Sequence, residues 1–350
     1  MTKPAAAEPE ATPGPARGPS PSRGRFSPKR VFAFDEIGIG IALLLLVGLV
    51  GVFHPEFLSR DSLIDLVRQA SFVSIMAFGM VFLLAMGDVD LSVGAIYVVT
   101  IIGAGTFMRD GVNPWVAVVL GVALGAALGA VNGLLSFLVK VPVIVVTLGT
   151  LSMFRGLALV WSDGRIVTGA PTTHAFFTVF GGDWLGIPAA VWVLAILVVV
   201  LTWLFKYTRF GLTVRSIGSN PKAARFSGLP IVRTRILVLA LLGSLCGVSG
   251  MLTLAFFAAP DPTLGAGIEL PVIAAAIIGG TSLAGGAGTV LGALLGALAI
   301  QVINSGIVFF GVPSNWGSFV TGAVIILAVG TDTLLRRSRS ARQAASTVVE

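Results

Sequence analysis

The sequence predicts an all-α integral membrane protein with about ten transmembrane segments, one of them short or broken, and with both termini in the cytoplasm. Three observations predict this. The 350 residues are 55% hydrophobic and only 11% charged, with a mean hydropathy of +0.97, which is too apolar for a water-soluble domain. Apolar runs of bilayer-crossing length recur along almost the whole chain. The basic residues are confined to alternate connections, as the positive-inside rule requires of a multi-span protein.

Residues 1–34 are rich in Pro, Ala, Gly, Ser and Arg and cannot bury enough apolar surface to order themselves, so they are expected to form a disordered cytoplasmic tail. No small-residue cleavage site follows the first apolar run, which therefore reads as a membrane helix rather than a signal peptide. Residues 35–335 form the membrane domain, with runs at Ile37–Phe53, Leu63–Met86, Leu91–Met108, Trp115–Leu138, Val143–Trp161, Ala189–Phe205, Ile236–Phe257, Leu270–Gly280, Val290–Phe310 and Phe319–Leu335. The eighth is too short to cross alone. Residues 336–350 are a second cytoplasmic tail.

With the N-terminus inside, the cytoplasmic segments hold six Lys/Arg in residues 1–30, Lys140, seven between Lys206 and Arg235, and four from Arg336 onward. The outer loops hold Arg60, Arg109 and Arg165. The net charge of +7 is thus a topology signal and not the basic face of a nucleic-acid-binding domain. The longest outer connection, Ser162 to Pro188, reads as a packed cap or a solvated connector.

Glycines mark helix packing. Gly121, Gly125, Gly129 and Gly133 stand four apart, as do Gly288, Gly292 and Gly296, and each set clears a stripe for close approach of another helix. The stretches Gly121–Pro142 and Gly292–Pro313 each carry a central asparagine, Asn132 or Asn304, and each ends in Val-Pro. They run in opposite directions in this topology, the arrangement of an inverted repeat.

Three polar interruptions carry the chemistry. In the cytoplasmic loop at residues 206–235, which has seven basic residues and no acid, Asn220 can cap a short helix, Pro221 suits its first turn, and Gly228 can adopt the left-handed stop. Between the second and third runs, Asp88 and Asp90 lie where almost no loop is available. Carboxylates at membrane depth must pair, line water or cap a helix, and Asp90, with Ser92 nearby, suits the N-terminus of the third span. The eighth run ends in Gly279-Gly280-Thr281-Ser282 and a glycine-rich turn, irregular backbone that a membrane tolerates only beside protein or a water-filled cavity. In-span amides and hydroxyls at Asn132, Thr147, Ser152, Gln301 and Asn304 could meet a hydroxylated solute or bond between helices. Cys246 stands alone, and His54 and His174 are too few for a metal site. No activated nucleophile or G-x-x-x-x-G-K-[ST] phosphate loop occurs, so no catalytic role is read.

These stretches resemble one family. Ala223-Ala224, three residues, then Gly228 resembles the loop by which permeases of ATP-binding cassette (ABC) importers dock on their ATPase. Gly211–Asn220 with Ala223-Ala224-Arg225-Phe226-Ser227-Gly228 is similar to the ribose-type sugar permease version of it. Gly87–Gly94 resembles that family's Gly-Ile-Asp-Leu-Ser-Val-Gly signature, with Asp90 on its acid and Asp88 in place of a glycine. Ile278–Gly288 resembles its Ile-Gly-Gly-Thr-Ser-Leu-x-Gly-Gly-x-Gly segment, and Thr147–Thr150 and Arg155-Gly156 extend the likeness, which covers nearly all of residues 63–316. Lys222 departs from it, standing where an acid is expected.

The resemblance implies the permease subunit of an importer for a monosaccharide or small polyol, in a bacterial plasma membrane. ATP and Mg would be held by a separate cytoplasmic ATPase dimer. An extracytoplasmic sugar-binding protein and a second permease copy, identical or not, would complete it. Asn220, Lys222, Ala223, Ala224, Arg225 and Gly228 would then couple to the ATPase. Asp88, Asp90, Ser92, Asn132, Thr147, Gly279, Gly280, Thr281, Ser282 and Asn304 are the candidates for the translocation pathway. The alternative is an ion-coupled secondary transporter with Asp88 or Asp90 as its ion site.

Overall fold

The computed structural model describes residues 35–330 apart from 314, 315, 325, 328 and 329. The two tails and the end of the tenth run lie outside the described residues.

The described chain is helical: α1 (Asp35–Phe53), α2 (Arg60–Ala85), α3 (Val93–Arg109), α4 (Pro114–Val139), α5 (Val143–Trp161), α6 (Ala175–Gly181), α7 (Ala189–Tyr207), α8 (Arg209–Ser219), α9 (Pro221–Phe226), α10 (Ile231–Phe257), α11 (Glu269–Ile278) and α12 (Val290–Phe309). Among the described residues, seven helices (α1, α2, α4, α5, α7, α10 and α12) are long and apolar enough to cross a membrane, while α3 and α11 are apolar but shorter. The short eighth run is the ten-residue α11. The third run, expected to be a full span from Leu91, gives a 17-residue helix that begins only at Val93, because the Asp90 carboxylate ties the chain into a turn first.

Helix α2 is the axis of the bundle, and its second half is buried without interruption from Ala70 to Ala85 except at Val73. Helix α10 packs on α2, α3 and α4, and α12 packs on α1, α2 and α11. By contrast, α1, α4, α5 and α7 expose large apolar side chains such as Leu44, Val119, Val160 and Val199, as helix faces turned to lipid do.

The α4–α10 seam follows from the first glycine stripe. A Cβ on Gly125 would overlap the Gly243 carbonyl, one on Gly129 the Leu239 carbonyl, and one on Gly133 would lie 2.8 Å from the Ile236 Cα. Without side chains the two backbones touch along the stripe. The second stripe is interrupted: Gly292 and Gly296 meet α11 backbone at Gly279 and Ala275, whereas Gly288 precedes α12 and abuts Thr281 and Val81.

Helices α2 and α10 cross antiparallel, with Ser249 Oγ donating to the Phe72 carbonyl (2.8 Å) and Gly79 against Leu242. Around this pair the packing is preserved when partners are exchanged. Helix α10 lies on α3 and α4, and α2 lies on α11 and α12; α3 meets α4, and α11 meets α12. The chain separation that relates Gly121 to Gly292 also relates Asp90-Leu91-Ser92-Val93-Gly94 to Asp261-Pro262-Thr263-Leu264-Gly265. Both acids accept a backbone N–H two residues on, Ser92 N at 2.6 Å and Thr263 N at 2.7 Å. The two turns cross at their glycines: a Cβ on Gly94 would lie 2.5 Å from the Gly265 carbonyl, and one on Gly265 would lie 2.8 Å from the Gly94 carbonyl.

The long connection from Ser162 to Pro188 is packed. Phe176 and Phe177 of α6 are buried, Gly181 abuts the Ala255 backbone of α10, and a two-residue antiparallel ribbon (β1, Asp183–Trp184; β2, Ile187–Pro188) returns the chain to α7. Arg68 fixes it to α2 through Asp183 (3.0 Å). This is the α6 end of the bundle, and the opposite end is closed by α8.

Candidate functional site

At the α8 end, the break between α2 and α3 begins with Gly87 in the left-handed region (φ 83°). Asp90 follows, with no exposed surface. Its Oδ1 accepts Ser92 N and Ser92 Oγ, both at 2.6 Å, and its Oδ2 accepts Asn132 Nδ2 at 3.3 Å. Asn132 Nδ2 also donates to Ser92 Oγ (2.8 Å), and the Leu91 N–H donates to Thr147 Oγ1 (3.2 Å). Four of the expected residues therefore come together from three elements: Asp90 and Ser92 from the break, Asn132 from α4 and Thr147 from α5. Asp90 accepts the Ser92 N–H just ahead of α3; Ser92 holds the N-cap position without a side-chain capping bond, so Asp90 forms a turn before the helix and does not occupy its cap. Asn132 Oδ1 is buried without a partner.

Asp88 faces the other way. Its Oδ2 accepts Arg235 Nε at 2.7 Å, with the side chains 15% and 32% exposed. Arg235, in the first turn of α10, entered the sequence reading only as one basic loop residue. The available signal was an acid and an arginine assigned to the same side of the membrane with few other partners there.

The basic segment between α7 and α10 contains more helix than expected. Thr208 Oγ1 accepts Gly211 N (3.2 Å) to start α8, whose buried residues Gly211, Val214, Ile217 and Gly218 fall on one face. That spacing is legible in the sequence but was masked by the surrounding charge. Helix α9 has the expected ends: Asn220 Oδ1 accepts Ala223 N (3.0 Å), Pro221 opens the first turn, and Gly228 has φ 73°, with the Leu229 N–H returning to the Ala224 carbonyl (3.1 Å). Ala224 is buried, Lys222, Ala223 and Arg225 are exposed, and Phe226 is 92% exposed.

The glycine-rich turn after α11 lies against the same end. Gly280, Gly285 and Gly286 are in the left-handed region, and the Gly286 N–H donates to the Ala85 carbonyl at the end of α2 (2.8 Å). A Cβ on Gly218 of α8 would overlap that carbonyl, and Gly285 and Gly286 rest on Gly218 and Ser219. The end of α2, the end of α8 and this turn thus meet backbone to backbone. Thr281 and Ser282 are buried there, with both hydroxyls unpartnered.

Asn304 and Gln301 are elsewhere, on the wall of an open cleft of about 740 Å³ between α2, α12 and the 265–268 turn. Gln301 Nε2 donates to Gln69 Oε1 (3.2 Å), while Asn304 Oδ1 is buried without a partner. Ser305 and Thr321 add hydroxyls. Gln69 escaped the sequence reading because it sits inside a long apolar run. Ser152 is exposed on α5 and lines neither place. Nine of the ten pathway candidates therefore separate into a sealed polar cluster, a turn at the α8 end, and one wall of a cleft, while Asp88 is paired with Arg235 outside all three.

Known proteins resemble this chain in sequence. A family model described as "Branched-chain amino acid transport system / permease component" matches residues 62–329. The chain is 38% identical over 307 residues to the ribose import permease protein of Bacillus subtilis (strain 168), covering 88% of this chain and 94% of that one. The ribose import permease protein of Escherichia coli (strain K12) is 37% identical over 294 residues, covering 83% and 92%. The L-arabinose ABC transporter permease protein of Azospirillum brasilense is 32% identical over 337 residues, covering 96% and 98%.

Proposed function

Because the chain belongs to the family of branched-chain amino acid transport system permease components, we propose that it is the membrane-spanning subunit of an ATP-driven importer for a monosaccharide or related small polyol. The observation that carries this is α9, a helix capped at both ends in an acid-free basic segment, which presents its outer face away from the bundle. A separate ATPase dimer, holding ATP and Mg, grips it, and an extracytoplasmic binding protein delivers the sugar at the α6 end. The pentose named in each of the three relatives supports the substrate class. In this reading the chain crosses a bacterial plasma membrane ten times with both termini inside, as two inverted halves, and a second permease copy faces the first.

The amides of Gln69, Gln301 and Asn304 suit sugar hydroxyls, so the cleft is the outer part of the route. The cluster of Asp90, Ser92, Asn132 and Thr147 seals its inner part. Closure of the ATPase dimer moves α8 and α9, and through their backbone contacts the end of α2 and the glycine turn. An ion-coupled carrier would need a carboxylate open to water and exchanging an ion. Asp90 is sealed among donors and Asp88 is paired with Arg235.

Replacing Gly228 with valine tests the docking. A β-branched residue resists φ near +73°, so the end of α9 should reshape. Co-purification with the ATPase is expected to fall about tenfold, the equivalent of ~1.4 kcal/mol, while membrane insertion persists. Undiminished co-purification, or uptake into vesicles driven by a proton gradient without ATP, would overturn the reading.

A further inference from the structure

We infer that the groove receiving α9 on the ATPase subunit is lined by acidic residues beside an apolar hole that takes the Phe226 ring. This rests on the reading of the chain as an importer's permease and names the chemistry of its partner.

The face that α9 turns outward is set by its one buried residue. Ala224 is 4% exposed and points into the protein. At about 100° per residue, Lys222, Arg225 and Phe226 gather on the opposite side, since positions four and three apart share a helix face. The result is a phenyl ring at one edge of the outer face, with Lys222 beside it and Arg225 beyond. Among the described residues no ion pair involves Lys222 or Arg225, and the whole stretch from Lys206 to Arg235 supplies no acid that could neutralise them.

Each part of this face calls for a complement. An aromatic ring held 92% exposed on a rigid, doubly capped helix leaves nearly its whole apolar area to be gained on docking. Two cations on the same face, without acids, steer a partner of opposite charge and repel a basic one. An anionic lipid surface is the other class of partner that a basic helix with one aromatic can meet. The capped geometry favours the protein groove. A headgroup layer needs no fixed helix end, whereas the Asn220 cap and the Gly228 stop hold Phe226 in one place.

The test measures binding of the cognate ATPase subunit to the full-length permease in nanodiscs of neutral phosphatidylcholine, at low and high salt. Reversal of both charges, Lys222→Glu with Arg225→Glu, is expected to weaken binding by about a hundredfold at low salt and to invert its salt dependence, because salt then screens a repulsion. Phe226→Ala is expected to weaken it about tenfold with the salt dependence kept. Lys222→Arg should bind as the parent does. If Phe226→Ala loses binding but the double reversal does not, docking through α9 stands and the acid-lined groove is overturned. If neither variant changes binding, docking itself fails. A charge effect that appears only in anionic nanodiscs would assign the cations to lipid and overturn the proposal.

Discussion

A leucine at Gly129 is expected to prevent the bundle from assembling, the largest effect of any single substitution in the α4–α10 seam. The obstacle is backbone: the Cβ would overlap the Leu239 carbonyl, so no rotamer change in a neighbour makes room. Its neighbours on the stripe are fixed in the same way, Gly125 by the Gly243 carbonyl and Gly133 by Ile236, so α4 cannot shift locally without losing the whole seam. Within a bilayer, lipid tails are as apolar as leucine, and close van der Waals contact is what holds such helices together. Overpacking in a well-packed core costs about 1–3 kcal/mol and occasionally more, and an immovable obstacle belongs at the upper end. The measurement is the yield of monodisperse detergent-solubilised protein and its melting temperature. Leucine at Gly149 or Gly156, where nothing lies within 4 Å, is the control and should be tolerated. A Gly129→Leu protein that elutes and melts like the parent would show that the seam does not hold the fold.

Alanine at Arg235 is expected to have the second-largest effect. It strips the cation from Asp88, whose side chain is only 15% exposed. Breaking a fully buried pair costs about 3–5 kcal/mol. Because Arg235 is 32% exposed and partly screened, about 1–3 kcal/mol is the appropriate range here. The double change Asp88→Gly with Arg235→Ala should recover most of the loss, since no unpaired charge remains. In the proposed importer the pair also joins the basic segment to the break before α3. The single variant should therefore lower transported sugar per ATP hydrolysed, and exchange of the two charges should restore it in part. Arg235→Ala with parental melting and transport would leave the pair without a role.

The features legible in the sequence were those in which one residue type decides the geometry. Asn220, Pro221 and Gly228 mark α9 by capping chemistry alone, and the four-residue glycine spacing marks the α4 seam. Features that depend on tertiary partners were not legible. The late start of α3 depends on two other helices, Asn132 donating to Asp90 and Thr147 accepting the Leu91 N–H, and the Asp88–Arg235 pair joins residues far apart in the chain. Helix α8 is a different case: the spacing of its apolar face, Gly211, Val214, Ile217 and Gly218, is present in the sequence, but the basic residues around it, Lys206, Arg209 and Arg215, mask it. The division of the pathway candidates could not be read either, because an in-span asparagine has the same appearance in sequence whether it closes a cluster, as Asn132 does, or lines a cleft, as Asn304 does.

The crossing of the two Asp-containing turns has a mechanical consequence. At Gly94, in the first turn of α3, and Gly265 each backbone lies against the other's carbonyl, and the narrow gap between them is shared. Neither segment can move toward the other without collision, and displacement of one opens space beside its counterpart. The linkage therefore acts through excluded volume and involves no bond that must be broken, so the two segments can transmit displacement like interlocked knuckles while their own hydrogen bonds stay intact.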